Sequence, residues 1–396
     1  MDKIIILDNI LRYPDGHCFN TGWLYEIFAH IIGNVAEIEI QPALKDSNKA
    51  FFDEIYEAID IKKVSKTSWI DIYNAKNNEK TLEIVKKYFD KSLVISYELH
   101  PFLQDAFDKL EIPYIKLMCH PVRFMDDVFF GVTSSNKNVF ARLKKYQANE
   151  AEWKLESAFM KAQTARKDFC NEIDLKPNSC VFFAQTVMDC SLLSNNKMVS
   201  FFDYKDRFMQ IYEEYDHLYY KIHPCENNKS VIKFINGLKK ASILHTEDIN
   251  TYDLIATDKI KKYFSISSGA LYEARIFGKE TEYFLKQPFM FINDYADENY
   301  QYENTYIPVY KNYWQQSFWA DILEEFFPTR KDVVDVNGDF KNKFRSIINL
   351  SWGYKDINSV YFNNFENNVN ETINKVLIKN KKSFLNFLRS KYVKKW

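Results

Sequence analysis

Three pairs of polar residues stand at the ends of short apolar runs in the middle of the chain, and their types suit chemistry on an anion and a carbon centre. Gln185 and Asp189 follow Val181-Phe-Phe-Ala, Lys221 and His223 close Leu218-Tyr-Tyr, and Ser267-Ser268 follow Tyr263-Phe-Ser-Ile. A short apolar run that ends in hydroxyl, imidazole or carboxylate groups reads as a buried parallel strand delivering side chains to its carboxyl edge. Open α/β sheets bind ligands at that edge, so three such ends within Cys180–Arg275 suggest a single site.

Each pair has a chemical and a plainer reading. Ser267-Ser268 lies between a strand and a helix, where unpaired first-turn amides and the positive end of the dipole favour a phosphate. The same pair serves equally as an ordinary N-cap. Lys221 and His223 alternate along a strand and so share a face, from which two nitrogen donors would neutralise phosphate and charge building on a leaving group; a structural His at a strand end is the plainer account. Asp189 is an acid on the same rim, able to attack an anomeric carbon or balance positive charge there, or simply to form a turn before Cys190-Ser191. Glu273 either reaches sugar hydroxyls from the following helix or faces solvent.

Three further residues come from the first half. Glu98 ends the apolar run Leu93-Val-Ile-Ser-Tyr97, a position where burial would tune a carboxyl for acid/base work; a solvated loop acid or helix cap is the alternative. Arg123 is a two-pronged partner for a substrate carboxylate, or an ion-pair partner of Asp126 or Asp127. His17 either overlooks the first sheet or sits in a solvated Pro14-Asp15-Gly16 turn.

The elements that must position these residues alternate. Strands are expected at Lys3–Leu7, 35–40, 93–97 and 114–118, with helices between them and a long helical stretch at 138–167. A crossing at 174–178, where Pro177 interrupts, leads to a second alternation with strands at 181–185, 218–223, 243–244 and 263–267. Gly278 stops the helix that follows. The expectation is α/β: two facing doubly wound domains with a cleft between them, residues 1–172 and 173–335, then a helical segment 336–396 packing back on the first domain.

Bulk properties narrow the class. The chain has 396 residues, 46% hydrophobic and 17% aromatic, with net charge −1, so no global field attracts nucleic acid. Six cysteines form no C-x-x-C pair, as expected for reduced thiols in a cytoplasmic protein rather than a zinc or disulfide framework. The first apolar run is too short for a signal peptide and no run reaches membrane-spanning length, so a soluble or peripheral protein is expected. Residues 378–396 carry Lys379, Lys381, Lys382, Arg389, Lys391, Lys394 and Lys395 without an acid; this basic amphipathic pattern suits an anionic membrane surface or a last packed helix. Asp-x-Asp is absent, which speaks against a metal-bridged diphosphate donor.

Taken together, Gln185-x-x-x-Asp189-x-Ser191, Lys221-x-His223-Pro224 and Ser267-Ser268-x-x-x-x-Glu273-Ala274 with Gly278-Lys279 resemble the β-Kdo transferases of bacterial capsule and O-antigen synthesis. The His-Pro and Ser-Ser pairs also resemble motifs of bacterial sialyltransferases. The resemblance implies a GT-B fold and a retaining transfer of Kdo (3-deoxy-D-manno-oct-2-ulosonic acid) from CMP-β-Kdo to a saccharide acceptor, with no metal or other cofactor. It implies that Ser267, Ser268 and His223 hold the CMP phosphate, that Lys221 and Glu273 line the nucleotide site, that Asp189 acts at the anomeric carbon, and that Glu98 is the acid/base. Competing readings are an inverting CMP-sialic acid transferase, a non-catalytic glycan-binding protein of the same fold, and a sugar-nucleotide epimerase. A lipid-linked or oligosaccharide acceptor and a peripheral inner-membrane location complete the expectation.

Overall fold

The computed structural model describes residues 1–351 apart from 9, 13–21, 43–47, 62–64, 66, 74, 170–173, 188, 196, 224–227, 246–247, 296–299, 337 and 339–340. These residues belong to one compact unit, Met1–Lys355. His17, Pro224 and the basic 378–396 segment lie outside the described residues.

The strands are β1 (Lys3–Leu7), β2 (Glu39–Pro42), β3 (Ser92–Tyr97), β4 (Tyr114–Cys119), β5 (Phe130–Ser134), β6 (Ser179–Phe183), β7 (Leu193–Ser194), β8 (Lys197–Met198), β9 (His217–Lys221), β10 (Ala241–Leu244), β11 (Ile260–Ser265), β12 (Glu280–Tyr283), β13 (Met290–Phe291) and β14 (Thr305–Val309). The helices are α1 (Gly22–Gly33), α2 (Asn48–Ala58), α3 (Ser68–Tyr73), α4 (Glu79–Phe89), α5 (Pro101–Lys109), α6 (Lys137–Leu143), α7 (Glu150–Phe169), α8 (Lys205–Glu214), α9 (Lys229–Asn236), α10 (Thr251–Ala256), α11 (Ala270–Ile276), α12 (Gln316–Leu323) and α13 (Lys343–Ser351).

One sheet runs β13-β14-β5-β4-β3-β1-β2. Its β2-β1-β3-β4 part is parallel, and β5 turns antiparallel to β4. Both faces are covered, so β1 reads as a continuous apolar run: Ile4 and Ile6 join the core under α1 and α12, while Ile5 and Leu7 join the one under α2, α4 and α5. Local signals fix the helix starts. Asn78 and Thr81 form a reciprocal capping box on α4, and His100 caps α5 with Pro101 in the first turn.

The other large sheet is wholly parallel, in the order β10-β9-β6-β11-β12. Numbered along the chain within that sheet, the order is 3-2-1-4-5, the doubly wound arrangement, with its reversal point between β6 and β11. Its core stacks Phe182 of β6 on Tyr220 of β9 at 5.5 Å and sets it edge-on to Phe208 of α8.

The expected boundary at residue 335 is corrected here. The chain returns to the first sheet at β13 and β14, β14 pairs antiparallel with β5, and α12 packs beneath that sheet. Pairing partners are chosen by tertiary contact, which the strand pattern alone does not carry. A β-carbon at Gly131 of β5 would stand 2.8 Å from the Phe291 ring and 3.0 Å from Tyr306 Cβ, so only glycine admits the returning strands. The single helical stretch expected over 138–167 is also divided. Gln147 bridges to Val309, and the Ala148 amide donates to the Pro308 carbonyl, so β14 pulls the chain out of helix between α6 and α7.

Candidate active site

The polar residues at the end of β6 and β11 meet across the reversal point. Gln185 Oε1 accepts from the Ser267 amide (2.8 Å) and the Ser265 hydroxyl (3.2 Å), and its Nε2 donates to Ser267 Oγ (2.9 Å) and Ser191 Oγ (3.4 Å). Ser267 Oγ in turn donates to Ser191 Oγ at 3.1 Å. The Gln185 amide therefore uses both donors and both acceptor sites, and the Ser267 amide fixes which end is oxygen. This network locks the two strand ends at the point where doubly wound sheets take their ligands.

Asp189 stands on the same rim. Its Oδ1 accepts from the Ser191 amide at 2.8 Å and caps the short turn Cys190–Leu192, so the turn-forming reading is realised and the side chain stays half-buried beside the network. His223 lies just past β9. Burial depresses its pKa and the nearby Asp189 carboxylate opposes that shift, so the two groups are within electrostatic reach. Ser268 Oγ accepts from the Ala270 amide at 3.4 Å, while the Ser268 amide donates to Ser265 Oγ.

Two expected nucleotide contacts are redirected. Lys221 Nζ donates to the main-chain carbonyls of His245 (2.5 Å) and Ile249 (2.9 Å), so it braces the loop before α10. Glu273 neither faces solvent nor opens onto the rim. Its Oε1 accepts from the Arg123 amide (2.7 Å) and the Tyr252 hydroxyl (3.1 Å), and burial pushes its carboxyl up to about 7. The reason is tertiary: the loop after β4 covers α11, which a helical pattern does not reveal.

That loop holds the first sheet against the second. Arg123 Nε donates to the His120 carbonyl, and the ion pairs expected with Asp126 or Asp127 are replaced by other partners. Asp126 pairs with Lys311 at 2.6 Å. The buried Asp127 carboxylate accepts from the amides of Val128, Phe344 and Arg345, capping α13 from a distant part of the chain. Arg345 then donates to the carbonyls of Arg123 and Met125, both at 2.7 Å. His120 is packed by Phe291 (4.2 Å), Trp153 of α7 and Tyr272 of α11 (both 5.1 Å), and burial holds it neutral.

Glu98 ends β3 at the carboxyl edge of the first sheet with φ +47°, the left-handed region that a non-glycine residue occupies at a cost. Its amide still pairs with the Leu117 carbonyl. Buried Tyr306 lies within electrostatic reach of both Glu98 and Cys190, the residue after Asp189. Where a β-carbon on Gly269 would stand, Pro121 Cβ is 3.5 Å away. The two carboxyl edges thus approach one another, with Glu98 on one side and Asp189, His223 and the serines on the other.

Sequence reasoning brought Gln185, Asp189, His223, Ser267 and Ser268 to one rim. It did not find Ser265, Tyr252, Tyr306 or Arg345. Ser265 alternates with Ser267 and was legible as a neighbour on the same face; the other three act across long sequence separations and leave no local signal. Among the described residues, no group of three His, Cys, Asp or Glu side chains is placed to hold a metal ion.

No family model and no curated protein matches the sequence. Two solved structures from Thermosulfurimonas dismutans KpsC are similar to it. The β-Kdo 2,4-transferase is 14% identical over 48% of this chain and 67% of its own, with a TM-score of 0.31. The β-Kdo 2,7-transferase is 12% identical over 73% of this chain and 97% of its own, with the same TM-score of 0.31. Values this low do not define a shared fold, so the functional reading rests on the rim.

Proposed function

We propose that the chain is a retaining glycosyltransferase of the GT-B type that moves Kdo from CMP-β-Kdo to a saccharide acceptor in bacterial surface-polysaccharide synthesis. The observation that carries this reading is the Gln185–Ser267 bridge over the reversal point of the second sheet, with Asp189 and His223 on the same rim. The CMP phosphate is received by Ser268, Ser267 and His223, whose imidazole gains a proton beside the anion. Asp189 reaches the anomeric carbon as the phosphate departs, and the acceptor hydroxyl then displaces it from the opposite side. Two inversions give net retention. Glu98, facing from the first sheet, takes the acceptor's proton. Lys221 and Glu273 serve as positioning residues, Lys221 through the loop before α10 and Glu273 through the Arg123 loop. The donor supplies all the chemistry and no metal is invoked.

The proposed setting is the cytoplasmic side of the membrane, reached through the basic 378–396 segment with a lipid-linked or oligosaccharide acceptor. No helix among the described residues is long and apolar enough to cross a membrane. The test is to supply CMP-Kdo generated in situ, and separately CMP-sialic acid, and to follow CMP release and the product anomer by NMR. Release from CMP-Kdo with a β-linked product supports the reading. Turnover of CMP-sialic acid alone, or an inverted anomer, would replace it with the sialyltransferase reading; no CMP binding at all would leave a non-catalytic protein.

A further inference from the structure

Helix α7 has a buried face and, opposite it, an exposed apolar one. Trp153, Ser157, Met160 and Thr164 are buried against the protein, and Thr164 and Lys167 bond to Asp253 of α10. On the opposite side Ala151, Leu155, Ala158, Ala162 and Ala165 recur at spacings of four and three and all are exposed, with Phe159 beside them. Leu155 is 58% exposed and Phe159 54%. Helix propensity accounts for exposed alanines but not for these two. The repeat averages 3.5 residues, the spacing of a seam between two helices, and small side chains allow close approach of the axes.

We infer that this face is an interface between two copies of the chain, joined by antiparallel packing of α7 on α7. The charges choose the occupant. α7 is net acidic in its first half (Glu150, Glu152 and Glu156 against Lys154) and net basic in its second (Lys161, Arg166 and Lys167 against Asp168). An antiparallel second copy sets acid against base, whereas a parallel copy or the uniformly basic 378–396 segment sets like against like over half the length. Pairing by an a-to-d′ register places Leu155 against Ala165 of the second copy, Ala158 against Ala162 and Phe159 against itself on the two-fold axis. The same register puts Glu152 opposite Arg166. These two are exposed, and among the described residues neither has an ion-pair partner. Lys161, which the register would set against its own copy, is turned inward, its Nζ 3.9 Å from where a β-carbon on Gly278 would stand. Lys154 is held by Glu150 at 3.8 Å. A seam of fifteen residues spans about 22 Å, so a reversible, concentration-dependent dimer is expected.

Sedimentation velocity on the full chain over a wide concentration range tests this. The wild type should pass from monomer to dimer. Phe159→Glu, which sets two like charges on the axis, should be monomeric throughout with an unchanged melting temperature. Glu152→Arg and Arg166→Glu should each weaken the dimer about tenfold, from two symmetric pairs of roughly 0.7 kcal/mol each. The double variant Glu152→Arg with Arg166→Glu should restore it. A wild type that stays monomeric, a dimer indifferent to Phe159→Glu, or a double variant no tighter than the singles would each overturn the inference.

Discussion

The main-chain amide of Arg123 donates to Glu273 Oε1 at 2.7 Å, tying the loop at the carboxyl edge of the first sheet to the helix that follows β11 in the second. Arg345 holds the carbonyl of the same residue, so this one peptide position is gripped on both sides by charged side chains remote in sequence. The carboxylate is buried between Arg123, Tyr252 and Arg345, and its raised pKa has a consequence for stability.

Glu273 should make the protein less stable as pH rises. Its folded pKa of about 7 lies above the ordinary glutamate value of 4.5, so between those limits the folded state holds a proton that the unfolded state has lost. Below about 4.5 both states are protonated, and stability declines as pH climbs toward 7, by on the order of 3 kcal/mol at most. Thermal unfolding of wild type and Glu273→Gln from pH 5 to 7.5 isolates the effect. Glutamine keeps the acceptor for the Arg123 amide, and its curve should be flatter over this window. Parallel curves would refute the assignment.

Asp189 should be separable from the fold. Asparagine caps turns as well as aspartate does, so Asp189→Asn should melt with the wild type, whereas Asp189→Ala should lose about 1 kcal/mol with the cap. Both should bind CMP and both should lose at least a hundredfold in Kdo transfer, about 2.7 kcal/mol of barrier. Near-normal turnover in either variant removes Asp189 from the chemistry.

Binding of CMP should take up a proton at His223. Burial depresses the free imidazole below its ordinary value of 6.5, and an adjacent phosphate would raise it. Affinity should therefore weaken as pH rises through 6 to 7.5, and calorimetry in buffers of different ionisation enthalpy should show proton uptake. His223→Ala should bind more weakly with no uptake. Equal affinity and equal uptake in that variant would contradict the phosphate role.

Glu98 should show opposed effects on stability and activity. Its φ of +47° suits glycine, so Glu98→Gly should relieve backbone strain and stabilise by about 1 kcal/mol while transfer is lost. Glu98→Gln, which keeps the strained backbone, should lose transfer without gaining stability. A destabilised Glu98→Gly with retained transfer would deny both parts.

What the sequence disclosed follows burial on two faces. The strands at β1, β3, β4, β6, β9 and β11 appear as apolar runs because helices cover both sides, and their polar ends therefore stand out. Gln185 and Ser267 were legible for that reason, though their mutual bond was not. β5, β13 and β14 escaped notice: β5 carries Gly131 and polar Thr133 and Ser134, β13 is two residues long, and pairing across a sheet edge leaves no period in the chain. Glu273 and Lys221 were given roles at the rim because pattern fixes a side chain's face but not what arrives to cover it. His223 and Asp189 lie past the ends of their strands, where Asp189 caps the turn that follows.

The return of β13 and β14 to the first sheet makes the second sheet an insertion with two chain crossings, one through α7 and one after β12. Among the described residues both passages join the same two sheets, so moving the second sheet away from the first would bend the two together. A protease that severs only one crossing will leave the pieces associated, still threaded through the other.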